Sequence, residues 1–135
     1  MKKLFDTTIH TSAVHICLLL LRVGVSAMML THGLPKLQKV LSGNFQFGDP
    51  LGIGSAPSLI LAAFAEFGCS LLLLVGFATR LATIPLIITM SVAILIAHAN
   101  DPFPKKEMPL LYLLIYVVLL ILGSGKYSID SRIKR

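Results

Sequence analysis

Four apolar runs divide this chain, each close to the ~20 residues that a helix needs to cross the hydrocarbon core of a bilayer. They leave little polar sequence from which a soluble surface could be built: of 135 residues 56% are hydrophobic and only 13% are charged. A soluble domain of this size carries about twice that share of charge. The pattern predicts an all-α, integral membrane four-helix bundle forming a single domain over residues 1–135. The helices are expected at about 13–31, 58–77, 81–98 and 109–122.

The boundaries follow from breakers. His32-Gly33-Leu34-Pro35 is expected to end the first helix, with 35–41 forming a short amphipathic interfacial helix. Residues 42–57 are rich in Gly, Pro and Ser and read as a loop. Pro85 falls in the expected first turn of the third helix, where a missing N–H matters least. The fourth helix begins near Pro109, and the polar segment after Leu122 leaves the membrane. Lys2 and Lys3 before an apolar stretch invite a signal-peptide reading, but Arg22 interrupts that core and no A-x-A site follows.

Charge sets the expected orientation. The net charge is +6, yet no basic face or nucleic-acid module is present, so the positive residues are read as topology signals. With four crossings, Lys2, Lys3, Arg80, Lys126, Arg132, Lys134 and Arg135 share one side, and Lys36, Lys39, Lys105 and Lys106 the other. That bias places both termini in the cytoplasm, for a multi-pass membrane protein.

Two charges lie deep inside the runs. At about 1.5 Å per residue, Arg22 is roughly 14 Å into the first helix and Glu66 roughly 16 Å into the second, measured from the same side. Both sit near the midplane, and an ion pair is the cheapest way to keep them there. Such a pair is either a packing clamp or part of a binding or proton-handling core, with Ser26, Cys69 and Ser70 one turn away. A second polar group, His32, Lys36 and His98, collects at the other side. Histidines at one level could hold a metal or a quinone headgroup, but the spacing matches no metal motif, so no metal is expected. Cys17 and Cys69 fall at different depths and predict packing rather than a disulfide. Gly24, Gly33, Gly68 and Gly76 are candidates for close helix approach.

The ordered set Arg22-x-Gly24, His32-Gly33-x-x-Lys36, Glu66-Phe67-Gly68, Gly76-Phe77-x-Thr79-Arg80, His98 and Gly123-Ser-Gly-Lys-Tyr127-Ser-Ile-Asp130 resembles the DoxX family. Two departures are Ser124, where the family often has proline, and Cys69, where a further glycine is frequent. The resemblance implies a small four-helix inner-membrane protein, similar to the membrane subunits of thiosulfate:quinone oxidoreductases. Arg22, Glu66, His32, Lys36, Arg80 and His98 match the family's recurring polar positions.

The chain has no haem-ligation motif, dinucleotide fingerprint or iron–sulfur spacing. A redox role therefore requires a bound quinone or a protein partner that supplies electrons, with no covalent cofactor expected. The alternative is a non-enzymatic accessory, assembly or chaperone-like module in which the Arg–Glu pair only packs helices. A proton-coupled exporter is disfavoured, because the carboxylate is on the second helix and Arg22 is expected to neutralise it. The remaining apolar faces suit the lipid bilayer and are compatible with a homo-oligomer.

Overall fold

Every regular element in the computed structural model, which describes residues 2–134, is helical. After a single 3-10 turn at Lys2–Phe5, the chain forms α1 (Thr11–Leu41), α2 (Ser55–Val75), α3 (Thr79–Ala97), α4 (Phe103–Leu122) and a short α5 (Ile129–Ile133). Three of these, α1, α2 and α3, are long and apolar enough to cross a membrane. The helix α4 has 20 residues but carries Lys105, Lys106 and Glu107 in its first two turns.

The distribution of polarity is that of a protein dissolved in lipid. Leu20, Leu81, Leu95 and Ile121 are each well exposed, at 66%, 69%, 72% and 66%. Arg22, Ser26, Glu66, Ser70 and Thr83 are buried with Val25, Met29, Leu73, Leu86, Tyr116 and Leu119. A hydrocarbon solvent accepts the leucines outside and drives ionisable groups inward, where they find partners.

The first helix corrects the expected boundary. It runs through His32-Gly33-Leu34-Pro35 without a break and absorbs the segment expected as a separate interfacial helix. Pro35 lacks the N–H that would reach the carbonyl one turn back, but in lipid an interrupted helix would strand further backbone groups, so continuing it is the cheaper solution. Gly33 supplies the second reason. A Cβ there would stand 2.6 Å from the Glu66 carbonyl carbon and the Phe67 nitrogen, so α1 and α2 touch backbone to backbone at this point. Gly24 has no such role, since nothing lies within 4 Å of its would-be Cβ.

The other expected boundaries shift less. Helix α4 starts six residues before Pro109, which lies inside it. Because α3 begins at Thr79, Pro85 stands in its second turn, and Thr89 Oγ1 donates to the Pro85 carbonyl at 2.8 Å. Both α2 and α3 contain a π-helical turn, at Phe64–Cys69 and Ala93–Ala97. Such turns are rare and gather at functional sites.

The C-terminal segment does not leave the bundle. Helix α2 ends in a Schellman motif, with Gly76 at φ 72°, its N–H bonded to the Leu73 carbonyl and Phe77 N–H to that of Leu72. The tail returns to this turn. Asp130 N–H donates to the Gly76 carbonyl at 2.9 Å, and its carboxylate accepts from Ala78 N–H at 2.7 Å and Thr79 N–H at 2.9 Å, capping α3. Ser128 caps α5 by accepting from Ser131 N–H. The N-terminal half of α1, the α2–α3 turn and the tail thus share one end of the bundle, called the tail end below.

Candidate functional site

Glu66 sits in the π turn of α2, 5% exposed. Its partner is Lys36, whose ammonium donates to Glu66 Oε2. The expected pair with Arg22 does not form. Gly33 packs beside Glu66, whereas Arg22 packs beside Gly76, the guanidinium lying 2.8 Å from where a Gly76 Cβ would be. On α1 those two levels are eleven residues apart, about 16 Å along the axis. The first helix, expected over about 13–31, extends to Leu41 and brings Lys36 alongside α2.

Arg22 is bonded instead to the tail. Nη1 donates to the Ser124 carbonyl and Nη2 to the Tyr127 carbonyl, both at 2.7 Å. Two carbonyls of one turn suit the fork of a guanidinium. From the sequence the tail is expected only to leave the membrane, and nothing in the hydropathy shows that it folds back onto Arg22. The Ser128-Ile-Asp130 cap was the legible signal.

Lys36 and Glu66 border a cavity of about 620 Å³. Phe64, Ala65, Ile88, Val92 and Ala93 give it apolar walls, the two π turns contribute to it, and His98 stands at its edge. The loop between α1 and α2 closes one side with Phe47, Pro50 and Leu51. Asp49 organises that loop: its carboxylate accepts from Ile53 and Gly54 N–H at 3.0 Å each and from Ser58 Oγ at 3.1 Å. In the sequence the signal for Asp49 is faint, since Asp-Pro before a glycine marks a turn but not what the turn covers.

His98 Nδ1 is 2.7 Å from Asp101 Oδ2. That hydrogen bond is the main reason the Asp101 carboxyl titrates below its ordinary range, with Lys105 and Lys106 adding to the effect. With Nδ1 donating to the carboxylate, the neutral imidazole leaves Nε2 as an acceptor. His32 is elsewhere, exposed on α1 and edge-on to Tyr112 at 6.0 Å. Arg80 is exposed at the tail end and donates to the Ile121 carbonyl at 3.2 Å. The structure therefore gathers Glu66, Lys36 and His98 around one cavity and leaves Arg22, Arg80 and His32 outside it. Cys69 is buried in the core, and Cys17 is exposed on α1.

The arrangement can hold an amphipathic molecule. An apolar body fits the walls, and one polar edge offers an ammonium donor, a carboxylate and an imidazole acceptor.

The family model described as DoxX matches residues 17–99. This chain belongs to the DoxX family. The match takes in α1 from Cys17 onward, α2, α3 and the whole Lys36–Glu66–His98 edge of the cavity. Among relatives, the chain is 32% identical over 113 residues to a Bacillus subtilis protein named "Putative oxidoreductase CatD", covering 83% of each chain. It is 30% identical over 123 residues to an "Uncharacterized protein" of Haemophilus influenzae, covering 83% of this chain and 87% of the relative. No solved structure matches.

Proposed function

We propose that this protein is the membrane subunit of a redox-linked system of the inner membrane, and that its cavity takes a quinone or a small sulfur compound. In this reading α4 is a fourth crossing and both termini face the cytoplasm, with the Lys36–Glu66 edge toward the opposite side. The observation that carries the proposal is the cavity of about 620 Å³ whose apolar walls end at Lys36, Glu66 and His98. The name printed for the Bacillus subtilis relative supports the redox class.

The residues fit a quinone. Its carbonyl would accept from Lys36, and the hydroxyl of its reduced form would donate to His98 Nε2, while its apolar part lies against Ile88 and Val92. A bound quinone supplies two-electron, two-proton chemistry. The chain's own task is narrower: Glu66 holds Lys36 in place and keeps its charge balanced, Asp101 orients His98, and the apolar walls exclude water. Electrons come from a partner protein, since the chain has no motif for carrying them itself.

Mass spectrometry of small molecules and proteins that co-purify from native membranes tests this, with Glu66→Gln run in parallel. A quinone or sulfur compound retained by the native protein and lost in the variant supports the proposal. A stable protein partner with no ligand in either sample replaces it with an accessory or assembly role.

A further inference from the structure

Between Glu66 and Arg22 the core holds hydroxyls that no described residue satisfies. Ser26 Oγ, Ser70 Oγ, Tyr116 OH and Arg22 Nε are all fully enclosed, and none has a hydrogen-bond partner among the described residues. Their residues are at most 2% exposed. In a native core such groups are satisfied by one another, by backbone or by water. Three unsatisfied buried hydroxyls and a guanidinium N–H in one small bundle demand an explanation, because each forfeits its bonds to water with nothing in return.

Their positions supply one. The contacts of Gly33 with Glu66 and of Gly76 with Arg22 fix how α1 and α2 run past each other. In that register Ser70 is one turn from Glu66 toward the tail end, and Ser26 is one turn from Arg22 toward Glu66. At about 1.5 Å per residue the steps Glu66 to Ser70, Ser70 to Ser26 and Ser26 to Arg22 are roughly 6, 4.5 and 6 Å along the axis. From α4, Tyr116 joins the middle of this series. It stacks on Tyr112 at 6.1 Å, and Tyr112 meets His32, so Tyr116 lies one turn below the level of His32. A water molecule that bridges two polar atoms holds them about 4.5–5 Å apart, and the reach of the side chains covers the rest of each step.

We infer that Ser26, Ser70 and Tyr116 hold a ladder of internal water molecules that joins Glu66 to Arg22 through the bundle core. Each water bridges two of the groups just named, which meets the minimum for a stable buried water. The hydration does not depend on what the cavity binds.

Radiolytic hydroxyl-radical labelling of the full-length protein in lipid nanodiscs tests it, because radicals formed from bound water oxidise the side chains beside it. Met28 and Met29 are adjacent in sequence, but Met28 is 53% exposed on the lipid side and Met29 is 1% exposed in the core. The ladder predicts that Met29 and Tyr116 are oxidised faster than Met28, although they are the more buried. In Ser26→Ala combined with Ser70→Ala, their labelling falls about fivefold or more as the waters lose their anchors. If the double variant fails to assemble, Tyr116→Phe replaces it, with Met29 as the readout. Labelling of Met29 no faster than Met28 overturns the inference, and so does labelling that the variants leave unchanged. A rise in thermal stability of the serine variants without core labelling also overturns it, since that is the behaviour of hydroxyls in a dry core.

Discussion

Lys36 takes Glu66 as its partner across the α1–α2 interface, thirty residues away in sequence. Lys36 is a quarter exposed and Glu66 almost enclosed, so the pair spans the edge of the cavity. Breaking such a pair leaves one charge behind in a poorly solvated place. Lys36→Met and Glu66→Gln should each destabilise the bundle, by about 2–4 kcal/mol, while the double variant loses less than the sum. Exchanging the two residues should restore part of the stability, whereas exchanging Arg22 with Glu66 should restore none. Unfolding in mixed micelles measures all of these, and strictly additive losses for Lys36 and Glu66 would refute the pairing.

The backbone contact at Gly33 separates two glycines that look alike in sequence. Gly33→Ala would drive a methyl into the Glu66 and Phe67 backbone at 2.6 Å, forcing α1 away from α2. A loss of about 1–3 kcal/mol or more is expected, together with a displaced Glu66. Gly24→Ala meets nothing within 4 Å and should be neutral or stabilising by up to about 1 kcal/mol through helix propensity. Thermal melts of the two variants decide; equal effects would contradict the interface.

At the tail end, Gly76 is fixed for two reasons. Its φ of 72° is costly for any other residue, and a Cβ would lie 2.5 Å from that of Ser128 and 2.8 Å from the Arg22 guanidinium. Gly76→Ala should therefore loosen the tail as well as the α2–α3 turn. Arg22→Gln should do so too, by losing the two bonds to the tail. Faster proteolysis after Leu122 in both variants is the expected outcome, and an unchanged cleavage rate would show that the tail is held by other contacts.

Asp130 makes the tail acid-sensitive. Burial pushes its carboxyl upward, but the N–H groups of Thr79 and Ala78 outweigh that, so it titrates below its ordinary range. A carboxylate with a depressed folded value adds stability above its unfolded pKa of about 3.9, and the gain is lost as pH falls through the folded value. Asp130→Asn should cost about 1–2 kcal/mol at neutral pH, and less at pH values below the folded one. Melting temperatures across acidic pH check this; a parallel loss at every pH would mean that its charge is irrelevant.

Asp49 offers a way to disturb the cavity without touching its polar edge. Asp49→Ala removes three hydrogen bonds that shape the loop over the cavity. Ligand retention should fall more than stability, and retention equal to the native protein would remove the loop from the site.

Much of this protein was legible in its sequence. The apolar runs determined that it is all-helical and suited to lipid, because only a helix satisfies its own backbone hydrogen bonds without water. The same runs made Arg22, Glu66, Lys36 and His98 conspicuous, since ionisable groups there need partners. Tertiary structure decided who those partners are. Hydropathy records how far a residue is from a helix end but not how two helices slide past each other, and Gly33 set that register by letting backbone meet backbone. The continuation of α1 through Pro35 then carried Lys36 to Glu66. The tail, polar and unremarkable in composition, returned to claim Arg22, because its backbone carbonyls supply what a buried guanidinium lacks in lipid.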